Sequence, residues 1–446
     1  MVHSRTVVFA RRVRALAAVA VVALVATACV GGGSSGGEDT QAGQKIEPVT
    51  PQEPTSPVTI TFQSWVGEAA QMKKLAADFH KAHSNITIKF TNVPADSATQ
   101  KLTTQVAGGT APDTAFVDSS AVQDLAARKA LVNLDGYIAG SQAVKLDDYV
   151  AGFKQTAVYQ NSMFALPFDG ETTGLFYRTD LFQAAGITKP PATWDELKAD
   201  AEKLTDPAKK QYGFILFAPE AQYYWLPFLW QAGGNLLSKD GKTIAFNSPQ
   251  GVQAADFYVG LRKYSPPDFL ASNSWDGRVA FATGKVGMYV AGAWFGGEMS
   301  ASFPKIKGKW DVAPLPAGPA RCATTIAGDS LVVTAQSKNK DAAWLWIEYL
   351  SRPENMKLWT FGTPTATLLP PRQSLLSDPQ LGRYNPWLKG FADQMKCAVN
   401  ETTTNENWGQ VSDALNTELG KAIYGDQSAQ QALDKAAKKG QTLLAE

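Results

Sequence analysis

The chain has 446 residues, with 42 Lys and Arg against 41 Asp and Glu, a formal net charge of +1, and aromatic side chains at 10% of positions. A balance this close to neutral carries no basic footprint for nucleic acid. Three cysteines and three histidines, scattered along the chain, exclude a Cys/His zinc cluster.

The first residues, MVHSRTVVFARRVR, hold Arg5, Arg11, Arg12 and Arg14 and no acid, and an apolar run from Ala15 to Ala28 follows. The run is too short to span a bilayer comfortably, and a basic start before such a segment is the pattern of an export signal. It ends Ala26-Thr27-Ala28-Cys29, which resembles a bacterial lipoprotein box with Ala26 where leucine is usual. That resemblance implies cleavage after residue 28 and a lipid on Cys29. Residues 29–57 are rich in Gly, Ser and Pro and read as a flexible tether with a reach of roughly 30 Å. Removal of residues 1–28 takes away four arginines, so the mature charge is about −3. Of the cysteines, Cys322 and Cys397 remain. In an oxidising compartment they read as one disulfide, with two separate buried thiols as the alternative.

From Val58 the pattern alternates. VTITFQSW reads as a strand, and Met72, Leu75, Ala76 and Phe79 sit at helical spacing within residues 69–83. ITIKFTNV is a second strand. A second helix begins near Asp96 and breaks at Gly108-Gly109, and DTAFVDSS precedes a short helix over 122–129. This order predicts an α/β fold with mostly parallel strands. Further on, Thr193 is the expected N-cap of a helix whose stripe is Trp194, Leu197, Ala201 and Leu204. Residues 213–217 read as a strand, 248–263 as a long helix, and 285–290 as a strand leading into the glycine-rich turn GAWFGG. Ligands in open α/β sheets bind beyond the carboxyl ends of the strands, so SWVGE, VDSS and GAWFGG are the expected lining.

Several blocks in order, namely ITFQSW, ALPFDGETTGLFYRTDLFQAAGI, PPATWDELKADAEKL, WQAGGNLLSKDGKTIAFNSPQGVQAADF, FATGKVGMYVAGAW and AGDSLVVTAQSKNKDAAWLWIEYLSRPENM, resemble the carbohydrate-binding lipoproteins of ATP-driven importers, the group that includes maltose-binding protein. The resemblance implies a two-lobed, hinged α/β fold of the periplasmic-binding type (type II). Each lobe is expected to be a mixed, mostly parallel sheet flanked by helices. Lobe 1 would comprise residues 58–166 and 315–371, and lobe 2 residues 167–314 and 372–446. It also implies a sugar or oligosaccharide ligand, a membrane permease as partner, no cofactor, a monomer, and a position on the outer face of the cytoplasmic membrane. The stretch ALPFDGETTGLFYR becomes the first crossing between lobes, with its polar insert facing the cleft.

Sugars present flat C–H faces and a rim of hydroxyls, so their sites combine aromatic platforms with carboxylate acceptors. By this logic and by the resemblance, Trp294 and Trp408 are candidate stacking residues, with Trp65 in SWVGE and Trp275 beside them. Tyr223, Tyr224 and Trp225 form a dense group in which Tyr224 and Trp225 are the candidates. Trp344, Trp346 and Trp359 lie on helical spacing and read as core. The polar candidates are Asp169 and Glu171 on the crossing, Glu68, Asp118 and Ser119 at strand ends, Gly328 and Asp329 for backbone contacts, and Arg372 as a residue that closes the cleft. The bland alternative for Glu68 is a solvated helix-end acid, and for Arg372 a surface salt bridge.

Two other classes are weighed. Carboxylate pairs also serve glycosidases, and Gly328-Asp329-Ser330-Leu331 matches the nucleophile block of a serine esterase family, yet no histidine follows Ser330 to act as base. A glycerophosphodiester or another polyol-like solute is the alternative ligand, although no Lys/Arg cluster in the candidate loops favours a phosphate. The reading is a non-catalytic binder.

Overall fold

The computed structural model describes residues 46–217, 221–267, 277–399, 405 and 407–445. Cys29 and Trp275, and with them the signal and lipidation readings, lie outside the described residues. Among the described residues no helix is long and apolar enough to cross a membrane.

The strands, in chain order, are β1 (Val58–Ser64), β2 (Ile86–Asn92), β3 (Thr114–Asp118), the short pair β4 (Val158–Tyr159) and β5 (Ser162–Met163), β6 (Leu166–Pro167), β7 (Gly174–Tyr177), β8 (Met288–Ala291), β9 (Asp311–Ala313), β10 (Thr324–Thr325), β11 (Asp329–Val333) and β12 (Ala398–Val399). They build a five-stranded sheet in the order β2-β1-β3-β11-β6 and a three-stranded sheet in the order β8-β7-β9. Each sheet is the centre of one lobe.

In the larger sheet β1 lies parallel to β2 and β3, while β11 runs antiparallel to β3 and β6. The smaller sheet is antiparallel throughout, which corrects the expectation of mostly parallel strands there. The expected strand over 213–217 is also absent. That segment is buried but irregular, tied by Tyr212 N–H to Lys285 O (2.8 Å) and by Phe214 N–H to Tyr264 O (3.1 Å). A buried apolar run satisfied by loop partners is indistinguishable from a strand by pattern alone.

The helices follow the sequence closely. Met72, Leu75 and Phe79 of helix Ala70–Ala82 are buried, where Phe79 meets Trp346 at 5.1 Å and Phe62 meets the same indole at 5.9 Å. Trp344 and Trp346 are fully buried, as read. Thr193 caps helix Trp194–Leu204 by accepting from Glu196 N–H. In the second lobe Trp194 stacks on Phe257 at 4.4 Å, and Phe295 stacks on Tyr289 at 4.5 Å.

Residues 46–57, read as part of the tether, are a strap fixed to the first lobe. Val49 N–H donates to Gly136 O (2.8 Å), Gln52 N–H to Asp341 Oδ2 (3.0 Å), Asn85 Nδ2 to Pro54 O (2.8 Å), and Glu53 pairs with His83. Pro48, Pro51 and Pro54 pre-set an extended backbone, so little conformational freedom is lost on docking.

Two expected lobe boundaries shift. Residues 315–325 bond to the second lobe, through Leu315 N–H to Gln394 Oε1 (3.0 Å), Ala317 N–H to Ala192 O (2.9 Å) and Gln231 Nε2 to Ala323 O (2.8 Å). Residues 372–378 stay with the first, through Ser374 to Asp148 and Lys357 to Asp378 (2.6 Å). Prolines stand at both expected boundaries, at 314, 316, 370 and 371, but the chain turns there without leaving its lobe.

Candidate functional site

The register brings one edge of each sheet to the same place. Asp118, at the end of β3, pairs with Asp329 at the start of β11, and Ser330 pairs with Pro167 at the end of β6. Facing them, Gly174 at the start of β7 pairs with Ala291 at the end of β8. Residues 168–173 cross between these edges. Beside them runs 326–328, held by reciprocal bonds between Glu171 and Ala327 (2.8 and 3.1 Å), and Gly170 bonds reciprocally with Leu369 (2.8 and 2.9 Å). Gly328 has φ +146°, and a Cβ there would lie 2.5 Å from Asp169 O. Only glycine lets the two crossings approach this closely.

The polar insert is mostly consumed by the crossing itself, contrary to the expected cleft-facing turn. Thr172 Oγ1 donates to Phe391 O, Thr173 N–H donates to Thr324 Oγ1, and Thr324 Oγ1 donates to Thr173 O at 2.7 Å. Asp169 is 2% exposed. Its Oδ1 accepts from Asp329 N–H (3.0 Å) and its Oδ2 from the Trp359 indole N–H (2.6 Å). Burial pushes the Asp169 carboxyl up to about 7 despite the Trp359 and Asp329 donors. Asp329, half-buried, is also raised well above its ordinary value, first by loss of hydration and then by the charges of Asp169, Asp118 and Glu171. Trp359 is buried as read, yet it is also the donor that holds the junction acid.

Glu171 is the part of the insert that stays half-buried. Its Oε1 accepts from Tyr223 O–H at 3.1 Å. Burial first, and Glu171 second, raise the Tyr223 phenol well above its ordinary value, so the hydroxyl remains a donor. Trp294 occupies the first turn of helix Ala293–Ser302 and is 36% exposed, so GAWFGG opens a helix instead of forming a loop. A Cβ on Gly292 would lie 2.1 Å from Glu171 Oε2 and 2.8 Å from Trp294 Cδ1, which places the carboxylate beside both the helix start and the indole. An acid at a helix N-terminus is favourable.

The remaining candidates divide. Trp65 is half-buried and leans on Phe116 at 4.8 Å. Ser119 is buried, and its N–H donates to Gly328 O (2.9 Å). Asp118 is exposed and caps Ser120 N–H (2.8 Å). Glu68 is exposed, paired with Lys73 (2.6 Å) and bonded to Asn92 (2.8 Å), which is the solvated helix-end reading. Trp408 is half-buried at the start of helix Trp408–Tyr424.

Two readings are corrected, that of Arg372 and that of the neighbours Tyr224 and Trp225. Arg372 is 1% exposed and bonds Asp148 Oδ2 (2.8 Å), Ser351 O (2.8 Å) and Ala143 O (3.2 Å) over the Tyr149 ring. It locks the first lobe from inside, and its burial keeps it out of any cleft. Tyr224 and Trp225 are buried at 6% and 0%, and Tyr223 turns toward Glu171 in their place. Helical spacing carried that signal: Gln222, Tyr223 and Leu226 share the half-buried face of helix Ala221–Gln231, whereas Tyr224, Trp225, Phe228 and Leu229 share the core face. Cys322 and Cys397 are bonded, with Cα atoms 5.5 Å apart, and clamp β10 against β12.

Two sheet-centred lobes, joined by adjacent crossings with an aromatic residue and a carboxylate at their meeting edge, define the class of hinged solute-binding folds. Residues 64–357 match the family model of bacterial extracellular solute-binding proteins, and the chain belongs to that family. A putative binding protein of Brucella abortus is 31% identical over 277 residues, which span 61% of this chain and 66% of that relative. Among solved structures, a solute-binding protein of Thermotoga lettingae with bound alpha-D-tagatose superposes with a TM-score of 0.79 and 26% identity, covering 87% of this chain and all of the other. The GacH receptor of Streptomyces glaucescens, determined unliganded and with acarbose, gives 0.78 and 28%, covering 88% of this chain and all of the other. The chain is thus a solute-binding protein of an ATP-driven transporter.

Proposed function

We propose that this protein captures a sugar or oligosaccharide between its lobes, unaltered, and hands it to a membrane permease, and that it is held at the outer face of the cytoplasmic membrane through a lipid on Cys29. The lobes of this reading are residues 58–167, 329–378 and the strap on one side, and 174–325 with 388–445 on the other. The carrying observation is Trp294, a large indole left 36% exposed beside Glu171 and Tyr223. An aromatic face next to a carboxylate is what a ring with C–H faces and hydroxyl edges requires. Trp65 and Asp118 on the opposite edge, and Trp408, complete the candidate contacts. Contacts made only when the lobes close would stabilise the closed form by their own free energy.

The saccharide reading is favoured over a phosphodiester because Asp118 and Glu171 both lie at the junction and would repel a phosphate. A thermal-shift panel of sugars, sugar alcohols and glycerophosphodiesters tests this. A neutral saccharide is expected to raise the melting temperature by mass action, and Trp294→Ala is expected to abolish that shift while leaving the melting of the free protein unchanged. A shift with phosphorylated compounds alone, or cleavage of the saccharide during incubation, would overturn it.

A further inference from the structure

Two acids at the adjacent crossings, Asp169 and Asp329, have no side-chain role in the proposed binding of a neutral saccharide. Asp169 lies on the first crossing and Asp329 where the second enters β11, and their main chains are interlocked. Asp169 Oδ1 accepts from Asp329 N–H, and Asp329 O accepts from Phe168 N–H at 2.9 Å. The bond from Asp329 N–H to Asp169 Oδ1, 3.0 Å long, sets the Asp329 side chain beside the Asp169 carboxyl, and each carboxyl acts on the protonation of the other. Two carboxylates in this position repel unless one of them keeps its proton.

The donor set decides which one. Asp169 receives the Trp359 indole N–H on one oxygen and the Asp329 N–H on the other. Both bonds favour its anion, so it is the acceptor of the pair. Asp329 is the acid that keeps the proton. Among the charged neighbours Glu171 reinforces this, adding negative potential at Asp329, whereas Asp118 from β3 acts on both carboxyls. Tyr223, on helix Ala221–Gln231, donates its hydroxyl to Glu171 and leaves that carboxylate charged.

We propose that Asp329 carries a proton which it donates to Asp169, that this shared proton latches the first two crossings together, and that its loss to water in alkali frees the angle between the lobes. The only bond broken is the Asp329 O–H, and two adjacent anions are left where there had been one. The latch does not depend on the identity of the ligand, so its failure and that of the saccharide reading are separable.

Carboxyl carbon-13 resonances of the purified wild-type protein, followed from pH 5 to pH 9, provide the first test. One aspartate carboxyl is expected to remain protonated at pH 7, and complete ionisation of every aspartate below pH 6 would overturn the proposal. The second test is Asp329→Asn, whose amide supplies a permanent N–H donor to Asp169. The variant is expected to match wild type in melting temperature at pH 5 and to melt several degrees higher at pH 9. By small-angle scattering, the ligand-free wild type should expand between pH 5 and pH 9 and the variant should not. Equal expansion of both, or of neither, would overturn the latch. If the variant fails to fold, the wild-type titration alone decides.

Discussion

Two buried ionic groups in this molecule are solved in opposite ways. Inside the first lobe, Arg372 has an acid, two carbonyls and a tyrosine ring around it. At the junction, Asp169 and Asp329 are surrounded by donors and by further acids. The first arrangement brings opposite charge and acceptors together, and it ties residues 143–149, Ser351 at the end of helix Lys340–Leu350 and residues 372–374 into one body. The second is held together by protonation. The difference shows where the fold is built to stay put and where its electrostatics leave room to move.

Their pH dependences run in opposite directions. Burial pushes Asp148 upward, but the Ser374 hydroxyl and N–H and the Arg372 guanidinium outweigh it and hold the carboxyl below its ordinary range. A carboxyl with a lowered folded-state pKa contributes stability above its unfolded value and loses it as pH falls through the folded one. The Arg372 lock therefore weakens only in acid. Asp169 and Asp329 are both raised, so their contribution is complete below the ordinary aspartate value and declines as pH climbs, through about 7 for Asp169.

The largest expected effect comes from breaking the lock. Arg372→Ala should lower unfolding stability by about 3–5 kcal/mol, measured by urea denaturation, with the loss the same at pH 6 and pH 8. A loss that grows between those values would blur the distinction drawn between the two regions. Next comes the disulfide, which closes a 75-residue loop containing the whole excursion of the chain through β11 and its helices. Replacing both cysteines by serine should cost about 2–4 kcal/mol by the same measurement, and it loosens the second lobe's side of the crossings while sparing the Arg372 network. The smallest effect, and the most discriminating, is Trp359→Phe. It removes one donor from a buried carboxylate, for a cost of about 1–3 kcal/mol that should be greater at pH 8, where Asp169 is ionised, than at pH 5. Indifference to pH would mean that the indole N–H acts by packing alone.

Much of the architecture was legible in the sequence because it rests on local rules. Helical spacing placed Met72, Leu75 and Phe79 inward, and Thr193 announced a helix start. The antiparallel smaller sheet was not legible, since its strands of three and four residues are too short for an alternation to declare direction. At the candidate site the sequence placed the right segments at the junction and misjudged individual side chains. ALPFDGETTGLFYR is the crossing, but Asp169, Thr172 and Thr173 face inward because Asp329, Phe391 and Thr324 run against them and supply the donors and acceptors. Arg372 follows a proline pair and looked exposed, and only the fold brings Asp148, 224 residues away, to meet it.

The docked strap has a mechanical meaning. It enters β1 at Val58 and leans on Asp341, after the end of β11, so it grips the first sheet at the edge opposite Asp118 and Asp329. Whatever holds the N-terminus therefore pulls on that lobe alone. On the proposed reading the first lobe would be the fixed post and the second the gate hung from it, so tension on the leash would not reach the moving jaw.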